Sequence, residues 1–230
     1  MGYLDVTNQN STNGLLGTGS VVSKLLPNTL YLTFNAPCVD DYHRGLFITY
    51  PPILCDLDGP TSGILFHATY IDSKWVLEQR DIRDVSASKS LVLLYHLHTI
   101  SAPSDEQLFN SYEKMQKVVQ NVPMGRKARE DAYGETRAGN PELDGYDCVI
   151  WTGDAMRALI KEGLIDLQGR DVGSYSLPSR YPIVGSSGNR SSANDAVALV
   201  EEVMAEARSL AGPEDAKTMV GVDFGGLKIM

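Results

Sequence analysis

Residues 43–50 read HRGLFITY and residues 63–71 read GILFHATYI. Both runs are rich in β-branched and aromatic residues, so each reads as a β-strand. Period-two alternation puts His43, Gly45, Phe47 and Thr49 on one face of the first, and Leu65, His67 and Thr69 on one face of the second. The Pro51-Pro52 pair ends the first run, because proline cannot donate to a ladder. Working outward, Thr29 to Asn35 (TLYLTFN) is a strand before them, and Lys74 to Arg80 (KWVLEQR) is a strand after an Asp-Ser turn. Leu91 to Ile100 (LVLLYHLHTI) is the longest apolar run, and it is expected to be central and covered on both faces. Short, closely spaced strands of this kind imply an antiparallel meander of about five strands.

Helical periodicity takes over in the second half. Ser104 to Val122 opens on a Ser-x-x-Gln capping box and lines up Leu108, Tyr112, Met115, Val119 and Val122. Asp147 to Glu162 is apolar nearly all round, which places this helix in the core; Gly163 is its expected C′ residue and Leu164 its hydrophobic partner beyond the end. Ser192 to Leu210 forms the last helix, with Val197, Val200, Val203, Met204, Ala207 and Leu210 on its apolar side. Met219 to Val222 is a candidate edge strand. The fold class is therefore α+β, an antiparallel sheet packed against helices. A flexible polar N-terminal arm (1–27) precedes one domain (28–230), and a mobile polar segment (123–145) without usable periodicity leads into the second helix.

The chain has 230 residues, with 20 Lys+Arg against 29 Asp+Glu and a formal net charge of −9. An acidic pI near 4.9 opposes binding to nucleic acid or an anionic membrane surface. No apolar run is long enough for a membrane span. Three cysteines are too few and too odd for a disulfide framework, which favours a reducing, cytoplasmic setting. Oligomeric state is not readable.

Cys148 carries the most chemical information. It follows Asp147, a good N-cap, at the first turn of a buried helix. Free backbone N–H groups and partial positive charge there stabilise a thiolate and can hold an oxyanion. A nucleophilic thiol needs a base, and that base gains from a third group that orients it. His43 and His67, on adjacent antiparallel strands, can stand side by side for those roles. Each of the three is also a residue type that commonly does nothing more than pack in a core.

A strand beginning His-x-Gly-Leu-Phe-Ile, a second strand ending Leu-Phe-His, and an Asp-Cys helix start together resemble the permuted NlpC/P60-like branch of the papain-like fold. That branch includes the lecithin:retinol acyltransferase relatives. The likeness runs from about Thr29 to Gly163. It implies a circularly permuted papain-like domain with Cys148 as nucleophile, His43 as general base and His67 as the orienting residue. Arg44 stands where that branch has an aromatic residue, and Asp147 where it has Asn. Arg44, Asp147 and Trp151 flank these groups and are the candidate substrate contacts.

A competing constellation is His96 and His98. At i and i+2 on a strand they are expected on one face, where they can chelate a metal with Glu78 or Asp81 as third ligand. Cys38 and Cys55 have no metal or redox spacing. Asp40 and Asp41 precede His43 and more often cap a turn, and the Gly185-to-Gly188 loop lacks the Lys-Ser/Thr of a phosphate-binding loop. The leading expectation is thus a thiol hydrolase or acyltransferase acting on an amide, ester or thioester of a small molecule, with no cofactor and no bound metal. A non-catalytic binding domain on the same fold and a metalloenzyme built on His96 and His98 are the alternatives.

Overall fold

The computed structural model describes residues 25–38, 41–51, 61–88, 90–133, 146–167, 192–211 and 228–229. Five antiparallel strands come first: β1 (Thr29–Cys38), β2 (Asp41–Thr49), β3 (Gly63–Ile71), β4 (Lys74–Ile82) and β5 (Leu91–Thr99). Then follow α1 (Asp105–Gln120), α2 (Arg126–Tyr133), α3 (Cys148–Lys161), α4 (Ser192–Ala211) and the two-residue β6 (Lys228–Ile229). The sheet order is β4-β3-β2-β1-β5-β6. The meander therefore covers β1 to β4 only, and β5 returns to pair with β1 on the other side. The fold is α+β.

Helix boundaries follow local chemistry. Ser104 Oγ accepts the Gln107 backbone N–H at 3.3 Å, which starts α1, and Asp147 Oδ1 accepts that of Ile150 at 2.8 Å, which starts α3. Gly163 has φ +65° and ends the α3 segment, while the Leu164 N–H bonds the Leu159 carbonyl at 2.9 Å. α2 lies in the segment expected to lack periodicity. It buries no residue, so no apolar stripe announces it, and ionic contacts described below hold it instead.

Alternation divides the sheet into two unlike faces. Leu30, Leu32, Phe34, Tyr42, Leu46, Ile48, Phe66 and Ala68 join α1, α3 and α4 in the main core. α3 packs on β2 and β3, and α4 on β5 and β1. On the opposite face Leu25, Tyr31, Phe47, Val85, Leu91 and Leu94 form a smaller cluster. The chain is packed already at Leu25, three residues ahead of the expected start at Asn28. β5 is buried on both faces along Leu91 to Tyr95, as expected, but its neighbours are β1 and β6 rather than β4. The edge strand is made by Lys228–Ile229, parallel to β5; Met219 to Val222 lies outside the described residues. So do residues 1–24 and 134–145, Asp40, Cys55 and the Gly185-to-Gly188 loop, together with the side chains of Cys38 and Asp41.

Candidate functional site

The β2–β3 ladder runs from Thr49↔Gly63 to Leu46↔Phe66 and stops, whereas β1–β2 continues through Asn35↔His43 to Cys38↔Asp41 and β3–β4 to Ile71↔Lys74. The two imidazoles occupy the end where the β2–β3 ladder has stopped. His43 Nε2 and His67 Nδ1 are hydrogen-bonded at 2.6 Å, with the rings edge to face at 84°. Across the β3–β4 pair, His67 stands opposite Glu78, and Nε2 of His67 lies 3.0 Å from Glu78 Oε2. This is ion-pair distance, with the ring N–H out of line for a straight hydrogen bond. Arg80 Nε and Nη2 both contact the other carboxylate oxygen, Oε1. Glu78, His67 and His43 therefore form one chain of acid–base groups across three strands.

Both imidazoles are held neutral at physiological pH. His67 is pushed down to about 4, by burial first and then by the neighbouring His43 and Arg80 charges, against the opposing pull of Glu78. Burial also lowers His43, again against the pull of Glu78. A neutral imidazole carries one donor and one acceptor nitrogen, which a base requires.

Sequence reasoning placed His43 and His67 side by side, and the structure does bring them together. It considered Glu78 only as a metal ligand. Counting back from the two-residue turn at Asp72-Ser73, both with positive φ, pairs His67 with Glu78 and would have found it.

Cys148 sits at the first position of α3 as expected, and its thiol is in no disulfide. It is buried in the main core with the helix-side residues. His43 and His67, by strand alternation, belong to the face away from α3, and the ring contacts of His43 are with His67. The structure thus does not place the thiol in hydrogen-bond contact with the imidazoles. What brings Cys148 near them is the packing of α3 on β2 and β3, the two strands that carry them.

The expected substrate contacts divide. Asp147 is exposed, and its carboxylate is engaged in capping α3, which also occupies one of the first-turn N–H groups. Arg44 is buried, with its guanidinium 5.1 Å from the Phe34 ring centroid on the helix side. Trp151, the third candidate contact, is wholly enclosed in the core, because α3 is apolar on this side and buries the indole.

The paired-histidine metal site is corrected as well. The β1–β5 register shifts between Leu30 and Tyr31, so His96 pairs with Tyr31 and His98 with Leu30. Tyr31 faces the smaller cluster and Leu30 the main core, so this bulge sends the two histidines to opposite faces. His96 is hydrogen-bonded to Thr99 Oγ1 at 2.9 Å. β4, with Glu78 and Asp81, is separated from β5 by three strands, roughly 19 Å at the usual strand spacing. Among the described residues, no three His, Cys, Asp or Glu side chains are grouped to hold a metal, and no helix is long and apolar enough to cross a membrane.

No curated protein matches the chain, and no solved structure does. One family model, described as a family of unknown function (DUF6540), matches residues 31–166, a span that contains all five long strands' paired core, both imidazoles, Glu78 and Cys148. The match covers more than half of the chain, which therefore belongs to the DUF6540 family.

Proposed function

We propose that the chain is a thiol acyl-transfer enzyme of permuted NlpC/P60-like architecture, in which the Cys148 thiol meets His43 around the open end of the β2–β3 ladder, gives up its proton there, and attacks an amide, ester or thioester carbon as the thiolate. The observation that carries this reading is the 2.6 Å bond between His43 Nε2 and His67 Nδ1. It fixes the His43 ring through one nitrogen and leaves Nδ1 for a second partner. Three further features support it: Cys148 opens a capped helix, that helix packs on the two histidine strands, and the β2–β3 ladder has stopped where the rings lie. In the reaction the sulfur forms a bond to the acyl carbon and the leaving group takes the proton held by His43. Water or an acceptor nucleophile then releases the acyl group and returns the proton to the thiolate. A reducing compartment suits such a thiol.

The test is acylation by p-nitrophenyl acetate, followed by intact mass and peptide mapping. The expected result is one acetyl group on Cys148 in the unmodified chain and none in His43→Ala. Absence of the adduct, or equal labelling in both proteins, overturns the reading. The burial of Cys148 among apolar side chains favours a second one, a binding domain on the same scaffold whose cysteine only packs. It predicts no acetyl adduct, and a stability loss of about 1–2 kcal/mol as the sole effect of Cys148→Ala.

A further inference from the structure

We propose that Glu78 is a positioning residue that sets the direction of the imidazole chain, and so decides which nitrogen of His43 is left to accept a proton. The proposal rests on the reading of His43 as a base. The negative charge of a carboxylate attracts an N–H and repels the lone pair of a bare ring nitrogen, so Glu78 Oε2, 3.0 Å from His67 Nε2, favours the His67 tautomer with its proton on Nε2. A neutral His67 then has a bare Nδ1. The 2.6 Å bond to His43 Nε2 must in that case be donated by His43. His43, neutral too, is left with a bare Nδ1 that can take a proton.

Without the carboxylate the chain has no preferred direction. Its reverse order puts a proton on His43 Nδ1, and that ring donates where a base must accept. This is how a carboxylate orients an imidazole in the serine-protease triad, here relayed through one more ring. The geometry also accounts for Arg80. It takes the Oε1 side of Glu78 and leaves Oε2 facing His67. Among the described residues, the charged and titratable groups in contact around the two rings are His43 from β2, His67 from β3, and Glu78 and Arg80 from β4, while the nearby Asn35 and Thr33 of β1 are neutral and bonded to each other.

The experiment reads tautomers directly, by nitrogen NMR of the side chains in histidine-labelled protein near neutral pH. In the unmodified chain both His43 and His67 are expected to carry the proton on Nε2 with Nδ1 bare. In Glu78→Ala both are expected to become mixtures of tautomers, and acylation by p-nitrophenyl acetate to slow by at least about tenfold through the rate constant rather than through KM. Glu78→Val, suited to an edge strand, repeats the measurement if Glu78→Ala does not fold. A proton on His43 Nδ1 in the unmodified chain, or unchanged tautomers in both variants, overturns the proposal. Fixed tautomers that depend on Glu78 in a chain that shows no acylation would keep the positioning role and remove the enzyme reading instead.

Discussion

Gly45 and His67 meet across the end of the β2–β3 ladder so closely that a β-carbon on Gly45 would lie 3.0 Å from that of His67 and 2.6 Å from the Phe66 carbonyl oxygen. The second contact is with backbone, which cannot step aside. Hydrogen is thus the only side chain that lets β3 approach β2 and bring its imidazole to His43. Gly45→Ala is expected to cost about 2–3 kcal/mol and to break the His43–His67 hydrogen bond. Urea unfolding measures the first, and loss of the shared-proton signal between the rings the second. A variant of unchanged stability with the bond intact would show that β2 and β3 have room to spare.

Gly63 and Gly163 separate close approach from backbone strain. A β-carbon on Gly63 would strike the Ile48 carbonyl oxygen, whereas one on Gly163 meets nothing within 4 Å but sits at φ +65°. Gly163→Ala is therefore expected to cost only about 1 kcal/mol, the strain of a left-handed residue. Gly63→Ala should cost two or three times that, about 2–3 kcal/mol. Parallel thermal melts of the two variants make the comparison, and equal losses would contradict it.

The same contrast explains how much of the molecule is legible in its sequence. β3 is readable to the residue because its alternation ends at the Asp72-Ser73 turn, and α1 and α3 are readable because Ser104 and Asp147 cap them in fact. Side-by-side imidazoles follow from strand alternation and a neighbouring antiparallel pair. The place of β5 does not, because pairing partners are chosen by tertiary packing and not by composition. Nor does the bulge at Leu97, since it changes the register without changing the apolar pattern around it. α2 escaped notice for a related reason: a helix that buries no side chain has no period to read. Cys148 was correctly placed at a helix start, but the face of the sheet that α3 would cover depends on the whole core.

Acid should loosen the fold before it protonates the carboxylates. His67 has a folded-state value of about 4 against a usual 6.5, and His43 is lowered as well. A base whose value is depressed by folding is protonated more readily in the unfolded chain. Its contribution is therefore complete above about 6.5 and is lost as pH falls toward about 4. The loss is expected to be on the order of 2 kcal/mol after allowance for partial solvent screening. Urea midpoints measured from pH 7 to pH 4 test this. His67→Gln, which does not titrate, should flatten much of the slope, and an equally steep slope in that variant would assign the acid sensitivity elsewhere.

The ionic contacts of α2 give a last expectation. Asp154 of α3 is only 2% exposed, and it receives Arg129 Nε of α2 at 2.7 Å and the Arg157 guanidinium of its own helix. Arg129 also lies 5.7 Å from the Tyr133 ring centroid, so a single side chain ties both turns of α2 together and to α3. Removing it leaves a buried carboxylate with half of its compensation, and Arg129→Ala is expected to cost about 2–3 kcal/mol. Amide exchange should accelerate throughout Arg126–Tyr133, because no buried apolar side chain remains to hold that helix. Arg126→Ala is the control. Its pair with Glu130 is a surface i,i+4 contact at 2.8 Å, which contributes no more than about 0.5 kcal/mol. If the two variants lose equal stability, or if exchange in α2 is unchanged without Arg129, then the helix is held by something other than the buried Asp154.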